Sequence, residues 1–468
     1  MALRKNPIVT VRGLGKLKEA SIELKPMLFF VGPNNSGKTY LMTMLYCLSM
    51  IGFDNASGKF YIEVNEGKKD CAFLYECIKK LKEKYVRQKE ECELVFDKEL
   101  ITQVEQLING LLDENKNRFI QYAFGSNSMS IDSLEIKFPE IDTFLIKLRA
   151  FPDNEMSPIA GFTYQKRLIS FAFKSELFSS DNFDVVDMMV KAVLQYFFSC
   201  VVDNGSSVFS RFGTYYLPAS RTGFLLTYQS VFNDVLEKNN AFVSDDEEKR
   251  ILQYTRPTVD FLKFLNNEAK FENNEKYKDI IGLLNDKVID GTIKKDTTGY
   301  SYSPKNRLID LKMYLSSGVV TETTPLITAL SRNRHINTLF IEEPEICLHP
   351  KYQHVMARCL IRLMKKGTRI ISSTHSDIII QHLNNMIKLG YTKSEELKVF
   401  LDNYGYDRDD ILGIEDIGVY QFELLERQKT SIVRAIVPDE YGFGIPVFND
   451  EFAKILDESR RISELIGE

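Results

Sequence analysis

Apolar and polar positions follow two periods along the 468-residue chain. Near the start, "IVTVRG" and "EASIELK" alternate with period two, which predicts two half-buried strands. "MLFFV", Met27 to Val31, is apolar throughout and predicts a central strand covered on both faces. An apolar helix candidate begins at Tyr40. From Cys71 to Phe119 the chain is charged, and the spacing of Leu74, Ile78, Leu81 and Tyr85 predicts amphipathic helix. "SMSIDSLEIKFP" reads as strand, "GFTYQKRLISFAFKS" as strand or loop, and "VVDMMVKAVLQYFFSCVV" as a buried helix. Residues 224–290 read as largely helical. Asp-Gly and Thr-Gly turns in "VIDGTIKKDTTGYSYSPKNRLIDLKMY" return the pattern to strands. "TYYLP", "TLFI" (Thr338 to Ile341) and "TRIISST" are further strands. "ELKVFLDNYG" and "IGVYQFEL" read as edge strands, and "GIPVFNDEFAKILDESRRISELIGE" as a closing helix.

Composition changes this picture little. At 44% hydrophobic and 27% charged the chain reads as an ordinary globular protein. A formal charge of −5 gives no general pull toward nucleic acid. The basic run "KKLKEKYVRQK" is interleaved with glutamate, so a solvated mixed-charge face is the plainer reading beside a nucleic-acid contact. The same region is too short and irregular for a long coiled coil. Seven cysteines, at 47, 71, 77, 92, 200, 347 and 359, form no CxxC pair, which fits a reducing compartment. "MALRKNPIVTVRG" carries no apolar signal stretch and no run reaches membrane-spanning length, so a cytoplasmic location with no membrane partner is expected.

Chemistry concentrates in two places. Directly after "MLFFV" stands "GPNNSGKT": Gly32, Pro33, Asn34, Asn35, Ser36, Gly37, Lys38 and Thr39. It fits G-x-x-x-x-G-K-[ST] in full. Two glycines let the backbone turn its N–H groups toward a phosphate chain, and the helix that follows adds a favourable anion potential. Lys38 can reach β- and γ-phosphates and Thr39 can ligate magnesium. A phosphate loop needs acids, and "TLFIEEPEICLHP" supplies them at the carboxyl end of a strand, where open α/β sheets bind ligands. Glu342 is the candidate metal-side carboxylate and Glu343 the candidate general base. Glu345 with Pro344 is expected to shape the turn. His375, ending "TRIISST", is placed either to bond a γ-phosphate or attacking water, or to be a satisfied loop histidine. All five histidines fall between His335 and His382, but without a zinc-ligand spacing.

Together "GPNNSGKT", "LSSG", "LFIEEPEICLHP" and "ISSTHSD" resemble the ATP-binding-cassette heads of the SMC type, and most of all the OLD-like ATPases of prokaryotic anti-phage defence. "YLPASRTG", Tyr216 to Gly223, resembles a further segment of that group. The resemblance spans the beginning of the chain and roughly 211–383. It implies ATP and magnesium as ligands, with Lys38 and Thr39 on phosphate and metal, Glu342 at the metal-side position, Glu343 as catalytic glutamate and His375 as switch histidine. "LSSG" resembles the signature motif, so Ser317 and Gly318 would cap an ATP held by a partner subunit. "CLHP" would line the dimer interface. Arg221 would have a structural or nucleotide-sensing role, against a plain surface arginine bonded to a turn. The signature departs from its pattern at Val319 and Val320, and no glutamine-loop residue can be placed.

The implied fold class is α/β, a P-loop NTPase of ABC/SMC head type with a mixed sheet core and a largely helical insertion. Residues 1–60, 211–230 and 295–425 would form the ATPase core. Residues 61–210 and 231–294 would form an inserted lid or interaction region, and 426–468 a closing segment. The aspartates of "LDNYGYDRDD" read as a turn, so the Toprim nuclease domain of full-length OLD proteins is not expected. The resemblance implies a homodimer or higher homo-oligomer that works as a sensor or scaffold ATPase controlling a separate effector, commonly a nuclease, with DNA or a phage protein as possible trigger. An SMC-like DNA repair ATPase, or an ATP-stabilised scaffold with little turnover, are the alternatives.

Overall fold

Backbone pairing gathers nine strands into one sheet: β1 (Ile8–Leu14), β2 (Leu17–Glu23), β3 (Met27–Val31), β7 (Ser133–Lys137), β11 (Thr214–Leu217), β15 (Thr338–Glu342), β16 (Arg369–Ser373), β17 (Ile417–Leu425) and β18 (Thr430–Ile436). Their spatial order is β11-β15-β16-β3-β17-β18-β2-β1-β7. The computed structural model describes residues 6–53, 60–150, 160–165, 168–174, 177–178, 184–202, 213–219, 221–229, 254–267, 274–296, 299–306, 309–425, 429–439 and 441–466. The five strands β11, β15, β16, β3 and β17 run parallel. β18 turns back on β17 and lies parallel to β2, and β1 pairs antiparallel with both β2 and β7.

The parallel strands are covered on both faces, which is why they are apolar without alternation. All residues of β3, β15 and β16 are buried. Side chains nevertheless divide strictly by parity. Met27, Phe29 and Val31 enter one core with Leu339, Ile341, Ile417 and Val419, whereas Leu28 and Phe30 enter the other with Phe340, Tyr420 and Phe422. The second of these cores also takes α1 (Lys38–Leu48) and the inserted helices α2 (Ala72–Gln88), α3 (Lys98–Phe124) and α4 (Val185–Val202). With them packs a four-stranded sheet of β6 (Cys92–Phe96), β8 (Phe144–Ala150), β10 (Leu168–Phe173) and β9 (Ala160–Gln165). The opposite face holds α5 (residues 221–229), α6 (Arg256–Asn266), α7 (Lys278–Leu284), α8 (Gly318–Leu330), α9 (Pro350–Lys365), α10 (Asp377–Leu389) and α11 (Ser394–Tyr404). Two short β-units, β4 (Ile51–Gly52) with β5 (Phe60–Tyr61) and β12 (Gly291–Asp296), β13 (Gly299–Pro304), β14 (Leu311–Lys312), flank the body, and α12 (Pro446–Ile466) closes the chain.

Several elements differ from the sequence expectation. "ELKVFLDNYG" is helix α11, because Leu397, Phe400 and Leu401 set one apolar side against the core at helical spacing. β17 is a central strand between β3 and β18, not an edge, and its first six residues are all buried. The charged stretch after Cys71 is not all helix: Cys92–Phe96 is a strand whose buried ends, Cys92 and Phe96, face the insertion core. Ser133–Lys137, expected in the insertion, and Thr430–Ile436, expected in the closing segment, both belong to the main sheet. Short strand patterns specify a half-buried strand without naming the sheet that takes it. α1 begins at Lys38, not Tyr40. The expected helical reading of 224–290 lies partly outside the described residues.

In "LDNYGYDRDD" the first four residues end α11, and the aspartates after Gly405 form a 3-10 turn. Asp410 is fully buried and receives Arg358 (2.8 Å) and Arg362 (2.7 Å), and Asp407 caps the 3-10 turn. Burial, the largest single influence, pushes the Asp410 carboxyl up, but the hydrogen bonds from Arg362, Arg358 and the Asp407 N–H together hold it below its usual range. Among the described residues no group of three or more His, Cys, Asp or Glu is placed to hold a metal.

His382, on α10, is 7% exposed, with its ring 5.7 Å from that of His354. Burial, then the charges of His354 and Arg358, lower it from 6.5 to about 4. His335, His354 and His375 are also lowered, each chiefly by burial. The folded chain therefore takes up these protons less readily than the unfolded chain. The stability involved is complete above pH 6.5 and is lost as pH falls toward 4, by about 3 kcal/mol for His382. His382→Gln is expected to make the acid-side loss of stability shallower in urea titrations at stepped pH. An unchanged slope would count against the assignment.

Candidate active site

The site is built where three parallel strands end level. Glu342 pairs in register with Ser373, and Ser373 with Phe30, so the ends of β15, β16 and β3 meet at one edge. The Glu343 N–H donates to Ser373 O (2.9 Å) and the Thr374 N–H to Phe30 O (3.0 Å), which carries the alignment one residue further.

The loop after β3 folds as its glycines require. Gly32 has φ 139°, and a Cβ there would lie 2.5 Å from Phe422 O. Gly37 has φ 98°, and its Cβ would lie 2.9 Å from the Leu17 side chain. Asn35 also sits in the left-handed region, at φ 60°. Gly37 O accepts the Leu41 N–H (3.1 Å) and opens α1. Lys38 arches back over the loop and donates to Gly32 O (2.9 Å) and Pro33 O (2.8 Å). Burial lowers its ammonium to about 8, opposed by Glu343, Glu342 and Glu345 in that order. The loop lysine and the acidic strand end therefore share one electrostatic environment. The Ser36 hydroxyl is buried with no hydrogen-bond partner, a donor turned into the loop. Asn34, Asn35 and Thr39 are exposed.

Each glutamate after β15 has a different surrounding. Glu342 is buried, and its carboxylate accepts the Tyr216 hydroxyl (2.6 Å) and the Ala219 N–H (3.0 Å). Tyr216 is itself stacked on Phe340 at 5.8 Å. Glu343 is only partly covered and has φ 43°, a left-handed conformation that costs any residue with a Cβ energy and is found at functional turns. Its carboxylate lies 3.8 Å from His375 Nε2. Burial, then the Lys38 charge, keeps His375 below its usual value, so near neutral pH the imidazole is uncharged and the contact is a polar approach. Glu345 accepts the His375 N–H (2.6 Å), tying the two loops, and burial raises its carboxyl. It thus shapes more than its own turn. Ser376 caps α10 through the Ile379 N–H (3.1 Å) and donates to Gln353 (2.6 Å).

Arg221 is not a surface arginine. It is 2% exposed and donates to Glu342 O (2.6 Å), Glu343 O (3.2 Å) and Pro218 O (3.2 Å). It also pairs with Glu322 of α8 at 2.9 Å. Ser317 and Gly318 stand exposed at the start of that helix, with Ser317 as its N-cap. A Cβ on Gly318 would lie 3.1 Å from Cys347 Sγ, so "EICLHP" packs beside "LSSG". His349 is the N-cap of α9, accepting the Lys351 N–H at 3.2 Å. The structure thus brings together Lys38, Glu342, Glu343 and His375, and leaves Ser317 and Gly318 facing outward.

Sequence reasoning missed Tyr216 and Glu322 as parts of this site. One signal existed for Glu322: it is a lone carboxylate inside the apolar run "GVVTETTPLITAL". Tyr216 is marked only as the first residue of "YLPASRTG", with no role of its own. Tyr216→Phe removes one donor from a buried carboxylate and is expected to lower stability by about 1–3 kcal/mol. Urea denaturation with an unchanged midpoint would remove that bond from the account.

A mixed α/β sheet with a phosphate loop after its central strand and carboxylates at the neighbouring strand end defines a P-loop NTPase. The chain belongs to the AAA ATPase domain family, whose pattern matches residues 8–380, and it is an ATP-binding ATPase. No curated protein matches it. Similar solved structures include an Smc head bound to the C-terminal winged-helix domain of ScpA, with 10% identity, 92% of this chain and 98% of that chain covered, and a TM-score of 0.35. Others are the SMC head domain from Thermotoga maritima (12%, 92% and 99%, 0.33) and an Smc head domain with an extended coiled coil bound to the C-terminal domain of ScpA, derived from Pyrococcus furiosus (12%, 97% and 100%, 0.33). Among the described residues no helix is long and apolar enough to cross a membrane.

Proposed function

We propose that the chain is a magnesium-dependent ATPase head that pairs with a second copy around ATP and acts as sensor or scaffold for a separate effector in anti-phage defence. The observation that carries the ATPase half is the convergence of Lys38, Glu342, Glu343 and His375 at one strand edge, with Ser317 and Gly318 exposed on α8. The defence role, with a nuclease as effector and DNA or a phage protein as trigger, is supported by the motif resemblance alone.

Magnesium takes oxygen donors and retains water, usually sharing its shell with phosphate. The exposed Thr39 hydroxyl and the Glu342 carboxylate, oriented by Tyr216 and Ala219, fit such a shared cation. These two residues would hold it, and when bound it neutralises phosphate charge. Lys38 exchanges its loop carbonyls for phosphate oxygens. The loop N–H groups and the Ser36 hydroxyl cradle the same anion. Glu343, partly open to solvent, orients the attacking water and takes its proton. Neutral His375 bonds the transferring group. Positioning and electrostatics supply most of the acceleration.

Two expectations test this. Deprotonation of free Lys38 should lower kcat/KM for ATP as pH rises through about 8. Lys38→Arg, whose guanidinium stays charged, should lose that limb. A limb that persists in the variant would assign it to another group. The composite site is tested by mixing. Lys38→Ala and Ser317→Arg chains should each be inactive alone and regain ATPase activity together, because one supplies the loop and the other the signature segment. No recovery in the mixture would overturn the paired-head reading. In the wild type, tight ATP binding with negligible turnover would favour the scaffold alternative, consistent with Val319 and Val320 in the signature. Stimulation by DNA ends would favour repair.

A further inference from the structure

We propose that the buried Arg221–Glu322 pair is a relay that makes the catalytic loop and the signature helix of one head move as a unit, so that each head reports the state of its own ATP to its partner's. The proposal rests on the paired-head reading above.

Every nitrogen of the Arg221 guanidinium is committed. Nη1 donates to Glu342 O and Pro218 O, Nη2 donates to Glu343 O, and Nε lies 2.9 Å from Glu322 Oε2 as an ion pair without hydrogen-bond alignment. Three separate segments, the β11–α5 loop, the end of β15 and α8, thus converge on one side chain. Glu322 is equally committed: its other oxygen accepts the Thr222 N–H (3.0 Å), and Thr222 shares a hydroxyl contact with Thr321 (2.8 Å). Both charged groups are almost fully buried, at 2% and 6% exposure.

Stability alone does not call for such a pair. Burying two charges usually gains no more than a well-packed apolar pair of the same volume. Its distinguishing property is geometric. The planar fork fixes direction at the Pro218, Glu342 and Glu343 carbonyls, while its charge holds Glu322 at 2.9 Å, and a hydrophobic contact does neither. The acceptor it fixes is the carbonyl of Glu343, a residue already held at φ 43°. At the other end Glu322 lies one helical turn beyond Gly318. The first turn of α8 is closed by Thr321, which donates its N–H to Ser317 O (3.1 Å) and its hydroxyl to Gly318 O (3.0 Å). A rotation of the Glu343 peptide therefore pulls Arg221, and through Glu322 and Thr321 it displaces the exposed Ser317–Gly318 segment. In a paired head that segment faces the other ATP. Arg221 is accordingly a positioning residue: it touches no reacting atom.

The mixed Lys38→Ala and Ser317→Arg pair has one working site, whose loop and signature come from different chains. Glu322→Gln keeps an oxygen for the Thr222 N–H and removes only the charge. Placed on either chain of the mixture, it should lower kcat by about tenfold to a hundredfold, as small misplacements of reacting groups do. KM should stay within about threefold, because the phosphate loop is intact. Arg221→Lys, which keeps the charge but loses the fork, should behave alike and serves if Glu322→Gln folds poorly. Melting temperatures set the assay well below unfolding. An unchanged kcat in both placements would reduce the pair to a structural contact, and a fall in only one placement would confine it to one site; either result overturns the relay. A mixture that never regains activity, even without these substitutions, overturns the paired-head reading and the relay with it.

Discussion

Four ionisable side chains, Lys38, Arg221, Glu322 and Glu342, are shut away from water along one edge of the sheet. Each would be prohibitively costly alone, because an unpaired buried charge loses its hydration without compensation. They persist because each is answered: Lys38 by loop carbonyls and nearby carboxylates, Glu342 by a tyrosine hydroxyl and a backbone amide, Arg221 by three carbonyls and Glu322. The rest of the edge follows from that mutual dependence. The left-handed Glu343 peptide is held in place by Arg221 on one side and by the Ser373 carbonyl on the other. Glu343 itself is left half open, so the one carboxylate that is not locked is the one facing His375.

Legibility in the sequence tracks contiguity. Eight adjacent residues carry the phosphate loop, and a strand followed by two acids carries the second element, so both could be read without coordinates. The wholly apolar "MLFFV" likewise marked the central strand. What could not be read is the network assembled across large separations, such as Tyr216 with Glu342 or Arg221 with Glu322, where nothing local distinguishes a buried partner from a surface residue. "ELKVFLDNYG" failed for a related reason. A short apolar run fits both a strand and a helix face, and only the neighbouring core decides between them.

The helix that bears the signature segment shows how polar residues are made tolerable inside. α8 buries Thr321, Thr323, Thr324 and Thr328, and their hydroxyls return to carbonyls three or four residues earlier in the same helix. Satisfied in this way, the threonines pack nearly as apolar residues would. Glu322 stands among them as the one buried group of that turn carrying charge, which concentrates the helix's electrostatic attachment on a single partner.

The place of β3 in the sheet has a consequence for biosynthesis. β3 delivers the phosphate loop, yet its two neighbours are β16 and β17. During translation the strand "MLFFV" precedes both of its partners, and it stays fully apolar with both edges open until Arg369–Ser373 and Ile417–Leu425 have left the ribosome. Such long-range pairing is slow to form and exposes sticky segments meanwhile. The nucleotide pocket, built where the ends of β3, β16 and β15 meet, therefore cannot form until those distant strands have been made.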